Sequence, residues 1–140
     1  MIQEIEFVSQ RCSYDCGPSV MKMIADYYGL DYSVSELIEL CKTTTIGTSI
    51  LNLQRCAKEI GLRTFSTKSQ LSDLQMVPLP AIALLNNGHY VVISEINYNH
   101  IRILDPRQGV KHYTYSRFIH KWYEKETEKG IIILFEKTRL

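Results

Sequence analysis

Residues 78–105 read PLPAIALLNNGHYVVISEINYNHIRILD, and the change of period inside this stretch decides the fold. Beyond Pro78 and Pro80 the apolar residues come in short runs rich in Ile, Val and Tyr. Asn86-Asn87-Gly88, Asn97-Tyr98-Asn99 and Asp105-Pro106 separate them, all turn signals. Strands are predicted over 81–85, 89–96 and 101–105, with two more beyond the stretch over 110–115 and 130–136.

Working outward towards the N-terminus, the spacing becomes helical. Gly17-Pro18 opens a segment that runs to Tyr28, with Val20, Met21, Ile24, Ala25 and Tyr28 on one stripe and Gly29 as its stop. Ser33-x-x-Glu36 is a capping box ahead of Leu37, Ile38, Leu40 and Cys41. Thr48 is the expected cap of a third helix carrying Leu51, Leu53, Ala57 and Ile60 and closed by Gly61. Helices first and antiparallel strands afterwards is an α+β pattern, with N-terminal helices packed on a C-terminal antiparallel sheet.

The 140 residues, 45% hydrophobic and 22% charged, suit one soluble domain with a single core. No repeat, linker or low-complexity stretch divides them. A net charge of +1 gives no reason to expect nucleic acid or an anionic membrane as partner. The longest apolar run, 131–135, is far short of the roughly 20 residues of a membrane span. The opening MIQEIEF has no basic n-region, so it does not read as a secretory signal. Four cysteines at 12, 16, 41 and 56 fit neither a disulfide scaffold nor a zinc site, and no cofactor is expected. Cys41 and Cys56 occupy apolar positions of helical patterns, where a free thiol packs as a small hydrophobe.

Cys16 is placed for chemistry. It precedes Gly17-Pro18, at the start of the first long helix, where unpaired N–H groups and the macrodipole favour a thiolate. Taken alone, it reads more simply as a buried capping thiol. Of the four histidines, His100, His112 and His120 stand among polar neighbours, whereas His89 opens a strand directly after the Asn-Asn-Gly turn. If that strand folds back through Asn97-Tyr98-Asn99, residues whose numbers sum to 194 face each other, and His89 lies opposite Asp105. A carboxylate orienting an imidazole is the third member that a Cys-His dyad needs, although a cross-strand His-Asp pair also serves purely structural ends. Gln10, six residues before the thiol, can aim a side-chain N–H at an oxyanion; as an isolated residue it is a solvated loop glutamine.

Gln10-x5-Cys16 within Asp15-Cys16-Gly17-Pro18, then Tyr27-Tyr28-Gly29, His89-Tyr90-Val91-Val92 and Asp105-Pro106, resembles the bacteriocin-processing peptidase domain of peptidase-containing ABC transporters. The resemblance covers essentially the whole chain, taking in Gly47, Leu79-Pro80, Gly109 and 118–122. It implies a papain-like fold in residues 1–140, the N-terminal domain of a longer transporter at the cytoplasmic face of the membrane. It further implies a cysteine endopeptidase that cuts bacteriocin or signalling-peptide precursors after a Gly-Gly pair ending an amphipathic leader. Its implied partners are the leader peptide and the transmembrane and nucleotide-binding domains. Carried over by residue, Cys16 is the nucleophile, His89 the general base, Asp105 its orienter and Gln10 the oxyanion donor. The chain departs from the family pattern at Cys12, at Arg107-Gln108 and at Tyr123. Two other readings use the same residues: a leader-binding module without proteolysis, and a free-standing papain-like acyltransferase or amidase.

Overall fold

The computed structural model describes residues 4–138. Helix α1 (Cys16–Tyr27) buries Val20, Met21, Met23, Ile24 and Ala25, and the chain leaves it through Gly29 at φ +74°, the left-handed conformation a glycine adopts without strain. In α2 (Val34–Leu40) the capping box closes in both directions, Ser33 Oγ accepting from Glu36 N–H and Glu36 Oε1 from Ser33 N–H, each at 3.1 Å. The cap of α3 (Ile50–Glu59) is Ser49, whose hydroxyl accepts from Asn52 N–H, and not Thr48. Thr48 Oγ1 lies 2.7 Å from Thr43 Oγ1 instead, because its side chain is packed against the start of α1.

The rest of the chain builds one six-stranded antiparallel sheet from β1 (Leu62–Ser69), β2 (Ala81–Leu84), β3 (Tyr90–Ile96), β4 (Ile101–Asp105), β5 (Gly109–Tyr113) and β6 (Gly130–Lys137). Their spatial order is β1-β6-β2-β3-β4-β5. A 3₁₀ turn (Leu71–Met76) precedes β2, and a further helix, α4 (Tyr115–Trp122), precedes β6. The first three helices cover one face, where Ile24, Leu37, Leu53 and Ala57 meet Ile82, Val92, Leu104 and Ile133. On the other face Phe118 and Trp122 of α4 close over Ala83, Val91, Ile93 and Ile103. Alternation along β3 feeds both cores, which is why YVVI reads as a continuous apolar run.

Neither β1 nor α4 is among the expected elements. Only Leu62 and Ser69 of β1 are buried, so this edge strand carries almost no hydrophobic signal. Helix α4 does carry helical spacing, with Tyr115, Phe118, Ile119 and Trp122 at i, i+3, i+4 and i+7, but it is only eight residues long and its cap at Thr114 falls inside the expected strand 110–115.

The β3–β4 register also differs from the expected one. The hairpin turns through four residues, Asn97 to His100, held by Asn97 Oδ1 accepting from the N–H groups of Asn99 and His100. It pairs Ile96 with Ile101, so the numbers sum to 197 there. A bulge between Ile93 and Glu95 then restores an even sum, 196, at Ile93↔Ile103 and Val92↔Leu104. His89 is therefore a diagonal and not a direct neighbour of Asp105. A displacement of two residues keeps both on one face, which an odd displacement would not.

Candidate active site

Each candidate side chain is placed by a local motif. A tight turn with Gly88 at φ +84° and Gly88 N–H donating to the Leu85 carbonyl delivers His89, whose own N–H donates to Asn87 Oδ1 at 3.1 Å. Asp105 ends β4 and accepts the Arg107 N–H at 2.9 Å, an Asx turn that fixes its carboxylate before Gly109 begins β5. Cys16 is the first residue of α1, half-buried, and no side chain caps that helix end.

These three converge. His89 Nε2 lies 2.6 Å from Asp105 Oδ1, and both side chains are about 95% buried. The second ring nitrogen, Nδ1, is buried and makes no closed hydrogen bond among the described residues. The Cys16 thiol lies close enough to the ring for each group to shift the other's pKa. Thiol and imidazole are thus in contact range without a locked bond, the looser geometry usual before substrate tightens a site.

The electrostatics favour an ion pair. Burial would push the Cys16 thiol up, but the adjacent His89 imidazole, the Tyr90 backbone N–H and the charge of Arg107 bring it below the ordinary thiol value. Burial would likewise lower His89, yet its hydrogen bond to Asp105 and the neighbouring Cys16 thiol raise it to about 9. Asp105 moves down despite its burial, through the His89 hydrogen bond and the Arg107 N–H. All three shifts point the same way, towards a thiolate beside an imidazolium with a carboxylate behind it.

A cleft of about 210 Å³ runs over this pair, below the size typical of drug-like ligand sites. One wall is the loop 45–48, where a Thr44↔Gly47 bridge holds a tight bend and Tyr90 Oη donates to the Thr48 carbonyl at 2.8 Å. A Cβ on Gly17 would stand 2.7 Å from Thr48 Oγ1 and 2.9 Å from its Cβ, so glycine is what allows this wall to press against the start of α1. The opposite rim carries Asn87, Gly88 and Arg107. Gln10 is not among the lining residues: its Nε2 donates to the Cys12 carbonyl at 2.5 Å, its backbone N–H donates to the Pro106 carbonyl at 2.9 Å, and its Oε1 is buried without a partner among the described residues.

Sequence reasoning misses the loop 45–48, the Tyr90 N–H and the proximity of Arg107 to the thiol. None has a motif, since a wall, a backbone donor and a long-range charge depend on tertiary placement. Cys41 and Cys56 are buried as expected; the Cys41 thiol hydrogen-bonds to Cys56, and that bond and burial push its pKa up. Among the described residues no group of three or more His, Cys, Asp or Glu side chains is placed to hold a metal ion.

A helix-start thiol, an imidazole and a carboxylate aligned across a cleft are the groups with which a cysteine peptidase works. The chain belongs to the peptidase C39 family, whose model matches residues 4–139. It is 33% identical over 135 residues to the pediocin PA-1 transport/processing ATP-binding protein PedD of Pediococcus acidilactici, an alignment that covers 91% of this chain and 18% of that protein. The chain therefore spans less than a fifth of that relative's length. Among solved structures, the peptidase domain of Streptococcus ComA, a bi-functional ABC transporter involved in quorum sensing, superposes with a TM-score of 0.85 at 30% identity, covering 97% of this chain and all of that one. A double glycine motif protease from an AMS/PCAT transporter, solved with its leader peptide, gives a TM-score of 0.88 at 22% identity over 96% of this chain and 93% of that one, a likeness of fold. The family is one of cysteine proteases, and the α+β architecture with helices preceding a six-stranded antiparallel sheet is the fold of its peptidase domains.

Proposed function

We propose that this chain removes the leader of secreted peptide precursors by cleaving after a Gly-Gly pair, with Cys16 as nucleophile. The observation that carries the reading is the placement of His89 between Cys16 and Asp105 at the floor of a narrow cleft.

In this reading the Cys16 thiolate attacks the carbonyl carbon of the second glycine, forming a C–S bond while the carbonyl electron pair moves to oxygen. Backbone N–H groups at the uncapped start of α1 and a Gln10 amide N–H receive that oxyanion. The imidazolium of His89 gives its Nδ1 proton to the departing amine, and the C–N bond breaks to leave a thioester. Neutral His89 then takes a proton from water as the water attacks the thioester, which frees the leader carboxylate and restores the thiolate. Asp105 keeps the ring oriented through Nε2 and stabilises its charge throughout.

The cleft between 45–48 and 87–88 is small, about 210 Å³, which supports steric exclusion of bulky side chains at the scissile bond. The Streptococcus ComA peptidase domain that this chain resembles is part of an ABC transporter, which supports a domain of a transporter working at the cytoplasmic face of the membrane and handing its product to membrane and nucleotide-binding domains. No helix among the described residues is long and apolar enough to cross a membrane.

The test is cleavage of a synthetic leader ending in Gly-Gly, against the same peptide with either glycine replaced by leucine, with products read by mass spectrometry. A single cut after Gly-Gly and loss of cleavage with both leucine peptides is expected. Comparable cleavage of the leucine peptides would overturn the reading.

A further inference from the structure

Asp15 occupies the N-cap position of α1, where an aspartate ordinarily turns its carboxylate onto the first N–H groups of its own helix. Here it does not. Its φ and ψ are −107° and 28°, and it makes no cap hydrogen bond. The carboxylate faces backwards: Oδ1 and Oδ2 each lie 3.1 Å from the Arg11 N–H, Oδ1 accepts the Cys12 N–H at 3.0 Å, and Arg11 Nε approaches to 3.7 Å. It does this with only 1% of its side chain exposed.

Two consequences follow from that reversal. A carboxylate capping α1 would occupy the N–H groups beside Cys16 and set a negative charge against the thiolate; turned away, it leaves that helix end without a side-chain cap. It also clamps the two residues that follow Gln10. The Gln10 amide is already tied to Cys12 through its carbonyl, and the Gln10 backbone to Pro106, next to Asp105. One N–H of the amide is committed to Cys12, and the second stays free to donate. We infer that Asp15 is a positioning residue that holds the loop 10–12, and with it Gln10, in register with the start of α1, so that oxyanion donors converge beside Cys16. This rests on the peptidase reading above.

The test combines Asp15→Asn, Gln10→Ala and the double variant, each confirmed folded by its melting curve. In Asp15→Asn an amide N–H replaces one acceptor oxygen and meets the backbone donors, so the loop loosens. We expect kcat on the Gly-Gly leader to fall about 10–10²-fold with KM little changed, against about 10²–10³-fold for Gln10→Ala. A peptide aldehyde ending in Gly-Gly, whose adduct with Cys16 carries the same oxyanion, should weaken in parallel. Alkylation of Cys16 by iodoacetamide, which needs the thiolate and no oxyanion donor, should stay within about twofold. On the Gln10→Ala background Asp15→Asn should add little, since both act through one donor.

Full multiplicativity of the two losses, or alkylation falling together with kcat, would overturn the inference. Asp15→Glu, which keeps the charge but displaces it by a methylene, should show the same split between kcat and alkylation, and serves where the asparagine variant does not fold. In the unmodified protein, binding of the aldehyde should shift the NMR signals of the Gln10 side-chain amide and of the Arg11 and Cys12 N–H groups together; no shift at Arg11 and Cys12 counts against the clamp. If the wild type itself fails to cut the leader, it is the peptidase reading that fails. A wild type that cuts beside an unimpaired Asp15→Asn removes the positioning role alone.

Discussion

His89 Nε2 meets Asp105 Oδ1 at 2.6 Å while His89 Nδ1, also buried, makes no closed hydrogen bond among the described residues. One ring nitrogen is fixed and the other is held ready for the thiol. That asymmetry sets the pH behaviour. His89 keeps its proton up to about 9, and Cys16 loses its proton below the ordinary thiol value. Leader cleavage needs both thiolate and imidazolium, so kcat/KM should rise as Cys16 deprotonates, hold across neutrality and fall through a limb near pH 9. Alkylation of Cys16 needs the thiolate alone and should show no such fall. A limb near the ordinary histidine value of about 6.5 would break the proposed pairing.

Asp105→Asn removes the charge that helps to raise His89 and weakens the hold on its tautomer. The alkaline limb should move down from about 9, and kcat/KM should drop by about 10² or more. The pH profile distinguishes this from simple loss of fold, since a merely destabilised variant would keep the limb in place.

Arg107 is exposed, lines the cleft and makes no side-chain ion pair or hydrogen bond among the described residues, yet its charge contributes to lowering the Cys16 thiol. Arg107→Ala should slow alkylation at neutral pH by up to about tenfold at low salt, and the gap to wild type should shrink at high salt. An equal gap at both ionic strengths would mean that the guanidinium acts by contact and not through its field.

Gly130 begins β6 beneath the Trp122 ring, whose Nε1 donates to the Ile131 carbonyl at 2.9 Å. A Cβ there would fall 2.1 Å from a ring carbon, so Gly130→Ala has to displace a fully buried tryptophan. It should destabilise the fold by about 1–3 kcal/mol, read as a lower melting temperature, with kcat of the remaining folded protein unchanged. A melting temperature equal to wild type would show that α4 yields freely.

Much of this was legible in the chain because it depends on local chemistry. The capping box at Ser33 and Glu36, the glycine stop after α1 and the strand that follows Pro80 each depend on a few residues and are found where the pattern puts them, whereas the sheet itself begins earlier, at Leu62. His89 and Asp105 meet, but through a register that alternation alone does not determine. Val92 and Leu104 pair across the hairpin because a four-residue turn and a bulge together displace the strands by two, and either alone would have separated the pair onto opposite faces. Thr48 has the residue type of a cap and lies one position too early, because the clash-free approach of Gly17 claims its side chain. Asp15 shows another gap: its carboxylate turns back onto the N–H groups of Arg11 and Cys12, a local loop conformation that no motif in the chain marks.

The central claim is that Cys16 is the nucleophile of a leader peptidase, and the most direct measurement is turnover of a Gly-Gly leader peptide by wild type and Cys16→Ala side by side, with leader binding measured on both. We predict that wild type releases the leader with a free C-terminal glycine, whereas Cys16→Ala binds the peptide nearly as well and releases nothing. Equal turnover by the two proteins would contradict it.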